Sequence, residues 1–179
     1  MDITAQELGR LNFYRASELQ GGLLLAHLAA RTRDPELMLK LTRHGAEEVT
    51  HAELWTQTIL DVGGKPWPTR DTYQARYARV IGPPSSLIHI LVLTQVFERR
   101  VYRHFTRHLA QVGTHPKVQK TLRRMIEEEK DHLTWVWSWL KTRSGTSWPF
   151  IQRLMADYTA ADATIYRALE VEYGFERAA

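Results

Sequence analysis

The sequence predicts an all-α protein: four long helices in a bundle, one long crossover between the second and third, and a fifth helix at the C-terminal end. Apolar residues recur at helical spacing along most of the chain, and β-branched runs are too scarce for a sheet. The connections between the long helices run short, long, short, the order of a four-helix bundle with one crossover. The 179 residues, 44% of them hydrophobic, close one sizeable core and leave no length for a comparable second one. Residues 1–179 are therefore read as one domain, with the bundle over about 4–143 and the last helix over about 149–174.

The first helix is read from about Thr4 to Thr32. In "RDPEL", Asp34 takes an N-cap and Pro35 the first helical position, which starts the second helix. Two glycines and a proline in "DVGGKP" stop it. Gly63 to Ser86 is a connection of roughly 24 residues, far longer than an antiparallel turn requires. It carries the chain from one end of the bundle to the other, with a short helix around Thr72 to Ala78. The third long helix runs from about Ser86 to Val112, "GTHPK" makes a short turn, and the fourth spans Pro116 to about Lys141. After "SGTSWP", Phe150, Leu154, Tyr158, Ile165 and Leu169 form one stripe of the last helix, suited to packing on the bundle or on a second subunit.

Composition removes several chemistries. There is no cysteine, so disulfides, thiolate nucleophiles, Cys-ligated zinc and iron–sulfur clusters are out, and any metal must be held by Glu, Asp and His. No apolar run is long enough to span a membrane, and "MDITAQELGR" has neither a basic leader nor an apolar core; the expected location is cytoplasmic. A net charge of +4 makes a nucleic-acid partner a question of clustering. A basic cluster on the third helix, Arg99, Arg100, Arg103 and Arg107, lies opposite Glu98. It reads as a solvated face, with a landing surface for an anionic partner such as tRNA, an acyl carrier or anionic lipid as the alternative that salt-dependent binding would separate; a nucleic-acid partner is not the expectation.

The chemistry concentrates in two Glu-x-x-His pairs, Glu48/His51 in "EEVTHAELW" and Glu129/His132 in "EEEKDHLTW". Residues three apart share a helix face, so each pair offers a metal one oxygen and one nitrogen. With 13 Glu and 8 His, fewer than one such pair is expected by chance, so position must carry the rest. Each pair lies mid-helix, and each preceding helix offers a mid-helix glutamate, Glu18 and Glu98. Glu18 precedes Glu48 by 30 residues and Glu98 precedes Glu129 by 31, as in a duplicated hairpin. The registers turn them inward: Leu91, Gln95, Val101, Tyr102 and Phe105 share the face of Glu98, and Leu122, Met125, Ile126, Leu133 and Val136 that of Glu129. Four buried carboxylates need compensation, since each lone charge loses several kcal/mol of solvation. Two divalent cations supply it. Four Glu and two His suit a pair of iron or manganese ions, or one of each.

In these residues the chain resembles the ferritin-like di-iron carboxylate superfamily. Its members include ferritins and bacterioferritins, rubrerythrins, demethoxyubiquinone hydroxylases, tRNA hydroxylases of the same fold and aldehyde-deformylating oxygenases. The resemblance covers roughly residues 8–141. It implies metal ligation by Glu18, Glu48, His51, Glu98, Glu129 and His132, with two iron ions as cofactor. Rubrerythrins carry a four-cysteine domain and a further helix-3 carboxylate; this chain has no cysteine, and Val101 stands at that place.

Around these ligands, His44 precedes Glu48 by one turn and is read as orienting it or as an alternative ligand. Tyr14, Gln95 and Tyr102 lie one turn from Glu18 or Glu98. The tyrosines are either core aromatics or groups that hydrogen-bond ligands or carry an electron. Gly21 and Gly22, in a helix interior, either permit close helix packing or leave a cavity for substrate or dioxygen. Glu47, Glu127, Glu128 and Asp131 point away and are read as solvated, with Asp131 alternatively able to orient a histidine of a neighbouring helix. The expected function is a di-metal oxidoreductase that reduces dioxygen or peroxide, draws electrons from a donor in trans and oxidises a small organic substrate. The alternatives are ferroxidation with iron storage or detoxification, and a non-catalytic metal-binding bundle. A homodimer or larger homo-oligomer fits any of them.

Overall fold

The computed structural model describes residues 3–143 and 148–174. Six helices and no strand occur among the described residues: α1 (Ala5–Ala29), α2 (Pro35–Asp61), α3 (Tyr73–Ile81), α4 (Leu87–Ala110), α5 (Pro116–Arg143) and α6 (Trp148–Tyr173). None of them is long and apolar enough to cross a membrane. The boundaries follow local chemistry. Thr4, Asp34 and Ser86 cap α1, α2 and α4 through side-chain oxygens that accept from Glu7, from Glu36 and Leu37, and from His89 backbone N–H groups. Pro35 fills the first position of α2, and Gly63, at φ +79°, ends it in a conformation few other residues adopt.

The described chain forms two compact units. The first comprises residues up to Ala75 together with Thr114–Thr121, and the second Arg76–Gly113 with the described residues from Leu122 onward.

In the first unit, α1 and α2 run antiparallel. Tyr14 meets Trp55 with ring centroids 5.2 Å apart, and Gly22 meets Gly45. A Cβ on Gly22 would lie 2.8 Å from the Gly45 carbonyl oxygen and 2.8 Å from Val49 Cγ2. Gly22 is thus a packing glycine that lets two backbones approach. Gly21 differs, because a Cβ there would stand 3.4 Å from both Glu48 Oε2 and the Gln74 amide nitrogen, an ordinary contact. Gly22→Ala should cost about 1–3 kcal/mol through overpacking. Gly21→Ala should be neutral or stabilising by up to about 1 kcal/mol, the helix-propensity gain of Ala over Gly. Urea unfolding of the metal-free proteins checks the contrast; equal losses would count against close packing at Gly22 alone.

The connection after α2 runs along α1. The Trp67 N–H donates to Asn12 Oδ1 (2.9 Å), Arg15 donates to the Trp67 carbonyl (2.8 Å), and the Tyr73 N–H donates to Ser17 Oγ (3.2 Å). Residues 67 to 73 therefore advance in the direction in which α1 advances from 12 to 17. Buried polar side chains of α1, Asn12 and Ser17, satisfy a segment that has no ladder of its own.

In the second unit, α4 and α6 run parallel, with Arg100 beside Asp162 and Arg107 donating to the Tyr166 hydroxyl (3.0 Å). In the basic cluster Arg99, Arg103 and Arg107 are exposed, as a solvated face would be, and Arg100 alone departs from that reading. The Arg100 guanidinium is paired with Asp162, its Nε 2.7 Å from Oδ2, and lies 4.0 Å over the Tyr166 ring. Arg99 covers Trp137 at 5.0 Å; partial burial, with Arg103 nearby, lowers its pKa. The reason is α6, which sets Asp162 and Tyr166 among the apolar residues Ile151, Tyr158, Ile165 and Leu169. Phe150, expected in that stripe, is 47% exposed, and Ile151 is buried in its place.

Tyr77 on α3 donates to Asp162 Oδ1 at 2.5 Å. Burial, reinforced by the Asp162 charge, pushes its phenol far above the usual range. A folded-state pKa raised in this way favours the native state below about pH 10 and loses that contribution above it, because only the unfolded chain then ionises. Stability should fall from pH 10 upward, and Tyr77→Phe should flatten the slope by about 1.4 kcal/mol per pH unit. Urea midpoints between pH 9 and 11.5 test this; an unchanged slope in the variant would refute it.

Candidate metal centre

In the first unit, α1 supplies Glu18 and α2 supplies His44, Glu48 and His51, all buried. Ligand atoms of Glu18, Glu48 and His51 lie within 4.8 Å of one another. His44 Nε2 lies 3.1 Å from Glu48 Oε1. The local cause is the 3.6-residue period, which sets His44, Glu48 and His51 on the α2 face that also buries Leu41, Ala52 and Trp55.

In the second unit, α4 supplies Glu98 and α5 supplies Glu129 and His132. His132 Nδ1 lies 3.1 Å from Glu129 Oε2 and 3.9 Å from Glu98 Oε2. Exposure is 7% at Glu98 and 1% at Glu129 and His132. The residues of α4 from Leu91 to Glu98 are buried on every side of the helix, so Glu98 sits in the most enclosed stretch of the unit.

The donor chemistry of both triads fits a hard or borderline divalent cation, since each offers two carboxylates and one imidazole, the set suited to iron or manganese. One further buried acceptor accompanies the second triad: Gln95, one turn before Glu98 and 1% exposed, has an Oε1 that accepts no hydrogen bond among the described residues. Leaving such an oxygen unsatisfied costs about 1–3 kcal/mol, so a donor from a bound water or ligand would be favoured there.

Of the other residues singled out, Tyr14 is buried against Trp55 and Tyr102 is half-buried on α4. Glu127 pairs with Lys130 (2.6 Å) and Glu128 with Arg124 (2.8 Å), while Glu47 and Asp131 are exposed. Gly21 lines the Glu48 carboxylate, whereas Gly22 is packed against α2. An apolar groove of about 660 Å³ opens within the second unit, lined by Trp137, Trp148, Ile151, Met155, Ala156 and Ala160 among others. The Tyr77–Asp162–Arg100 network escaped the sequence reading. Its one sequence signal is a carboxylate, Asp162, in the apolar register of α6. A comparison with models of known protein families finds no match, and searches of curated proteins and of solved structures find none either.

Proposed function

We propose that Glu18, Glu48 and His51 together with Glu98, Glu129 and His132 hold a pair of divalent metal ions, iron foremost, in a ferritin-like arrangement of the four long helices with one crossover. The loaded protein is then an oxidoreductase acting on dioxygen or peroxide and an organic substrate, with electrons from a donor in trans. The observation that carries this reading is the repetition: two helix pairs each bury a Glu with a Glu-x-x-His, and each triad is convergent within its own unit. Bound iron would supply Lewis acidity and relay to dioxygen the electrons that the donor provides. The chain's part is to hold four buried carboxylates and to offer Gln95 Oε1 as an acceptor one turn before Glu98.

The test is metal analysis after anaerobic loading with Fe²⁺ or Mn²⁺, followed by oxygen uptake with an external reductant. The expected result is two ions per chain and uptake that continues past the equivalents of bound iron. Uptake that stops at one stoichiometric burst would mark ferroxidation instead. Failure to retain metal would remove the proposal.

A further inference from the structure

We infer that His44 is itself a metal ligand, so that the centre carries three imidazoles and its two metal positions are chemically unequal. The inference rests on the proposed metal centre and adds a donor to it.

On α2, His44 stands four residues before Glu48 and His51 three after it. At 1.5 Å per residue, the two histidines start roughly 6 Å below and 4.5 Å above the glutamate along the helix axis. Glu48 thus lies between two imidazoles on one face, an oxygen-bearing bridge flanked by nitrogen at either end.

The distance places His44 where it can share a cation with Glu48. Two ligand atoms each about 2.1 Å from one cation and at right angles lie about 3 Å apart. His44 Nε2 is 3.1 Å from Glu48 Oε1, the same separation as His132 Nδ1 from Glu129 Oε2. The His44–Glu48 pair therefore reproduces the nitrogen–oxygen spacing of the Glu-x-x-His pair in the other unit. His44 is 1% exposed and lies among Leu41, Gly45 and Glu48 on the buried face of α2.

The duplication supplies the comparison. The residue four before Glu129 is Met125, fully buried. Packing at that height on α5 is met by a thioether side chain, and the second glutamate manages without an imidazole there. His44 breaks the repeat on one side only.

Three imidazoles over two cations give one position two nitrogens and the other one. The nitrogen-richer position should favour the later metals of the Irving–Williams order, Fe²⁺ or Co²⁺ over Mn²⁺, and fill first. The carboxylate-richer position suits Mn²⁺. A mixed iron–manganese occupancy would then follow from ligand count.

Co²⁺ alone is the probe. In the Co²⁺-loaded wild-type chain, paramagnetically shifted, exchangeable imidazole N–H resonances in the proton NMR spectrum count the coordinated histidines, and calorimetric titration gives the two stepwise affinities. The expected result is two Co²⁺ bound with three such resonances. In His44→Gln, one resonance should be lost and one affinity should fall at least about tenfold, with far-UV circular dichroism unchanged. Gln keeps an amide donor for Glu48, so a bracing role would be rescued. Two Co²⁺ with only two resonances in the wild type, which needs no variant to fold, would overturn the inference while leaving the metal centre standing; so would a variant that keeps both affinities. Absence of Co²⁺ binding by the wild-type chain would overturn both.

Discussion

In the Glu48→Gln protein, metal content should fall from the proposed two ions per chain to fewer than one, while the metal-free protein becomes more stable than the wild type. Both effects come from one carboxylate. Glu48 shares its surroundings with Glu18 and His51, ligand atoms within 4.8 Å, and with His44 at 3.1 Å. It neighbours Glu18, His51 and His44 alike, so its loss should weaken more than one ligand bond. In the absence of metal the same placement is a burden. Two carboxylates at that separation repel by a few kcal/mol at an effective dielectric near 20, and burial adds desolvation. Gln is nearly isosteric and uncharged, so the metal-free variant should gain about 1–3 kcal/mol.

Metal reverses the order. At a free concentration 1,000-fold above its dissociation constant, one bound ion stabilises the wild-type fold by about 4 kcal/mol, and the variant gains little. Thermal unfolding with and without Mn²⁺ under anaerobic conditions, together with metal analysis, measures both halves. A variant that keeps two ions, or one that is less stable than the wild type without metal, would remove Glu48 from the centre of the site.

The second large effect lies in the α4–α6 contact. Asp162→Leu should destabilise the protein by about 3–5 kcal/mol, because it leaves the Arg100 guanidinium buried without its carboxylate. Side-chain exposure is 12% at Arg100 and 5% at Asp162, so solvent can do little to rescue the charge. The same change removes the acceptor of the Tyr77 hydroxyl. For a chain of this length the loss corresponds to a fall in Tm on the order of 10 °C. Replacing both partners, Arg100→Met with Asp162→Leu, should restore most of it, since apolar pairs often match or exceed buried ion pairs. Urea unfolding of the two single variants and the double variant forms the cycle that measures the coupling. A single variant within 1 kcal/mol of wild type would show that α6 does not depend on this pair.

Helix identity and boundaries were legible because their determinants are local. Asp34 and Pro35 start α2, Gly63 ends it, and Ser86 caps α4, each acting through backbone groups a few residues away. The short helix expected over Thr72 to Ala78 is α3, Tyr73–Ile81. Its position depends on Ser17 and Asn12 of a distant helix as well as on its own residues. The pairing of Arg100 was not legible, for the opposite reason. Arg100 is a cation in a helical register, which by itself describes a solvated face, and only the packing of α6 supplies Asp162 and Tyr166 to cover it.

The sequence by itself determined an all-α chain, the limits of its helices, and which donors share a face: His44 with Glu48 and His51, and Glu129 with His132. Helical period and capping are properties of a few adjacent residues, so no fold is needed to read them. Only the tertiary structure decided that Gly22 serves close approach to Gly45 while Gly21 borders Glu48, and that His44 reaches the Glu48 oxygen. It also decided that Arg100 is clasped by α6. Each of these depends on the separation of side chains from different turns or helices, which packing sets and local periodicity does not.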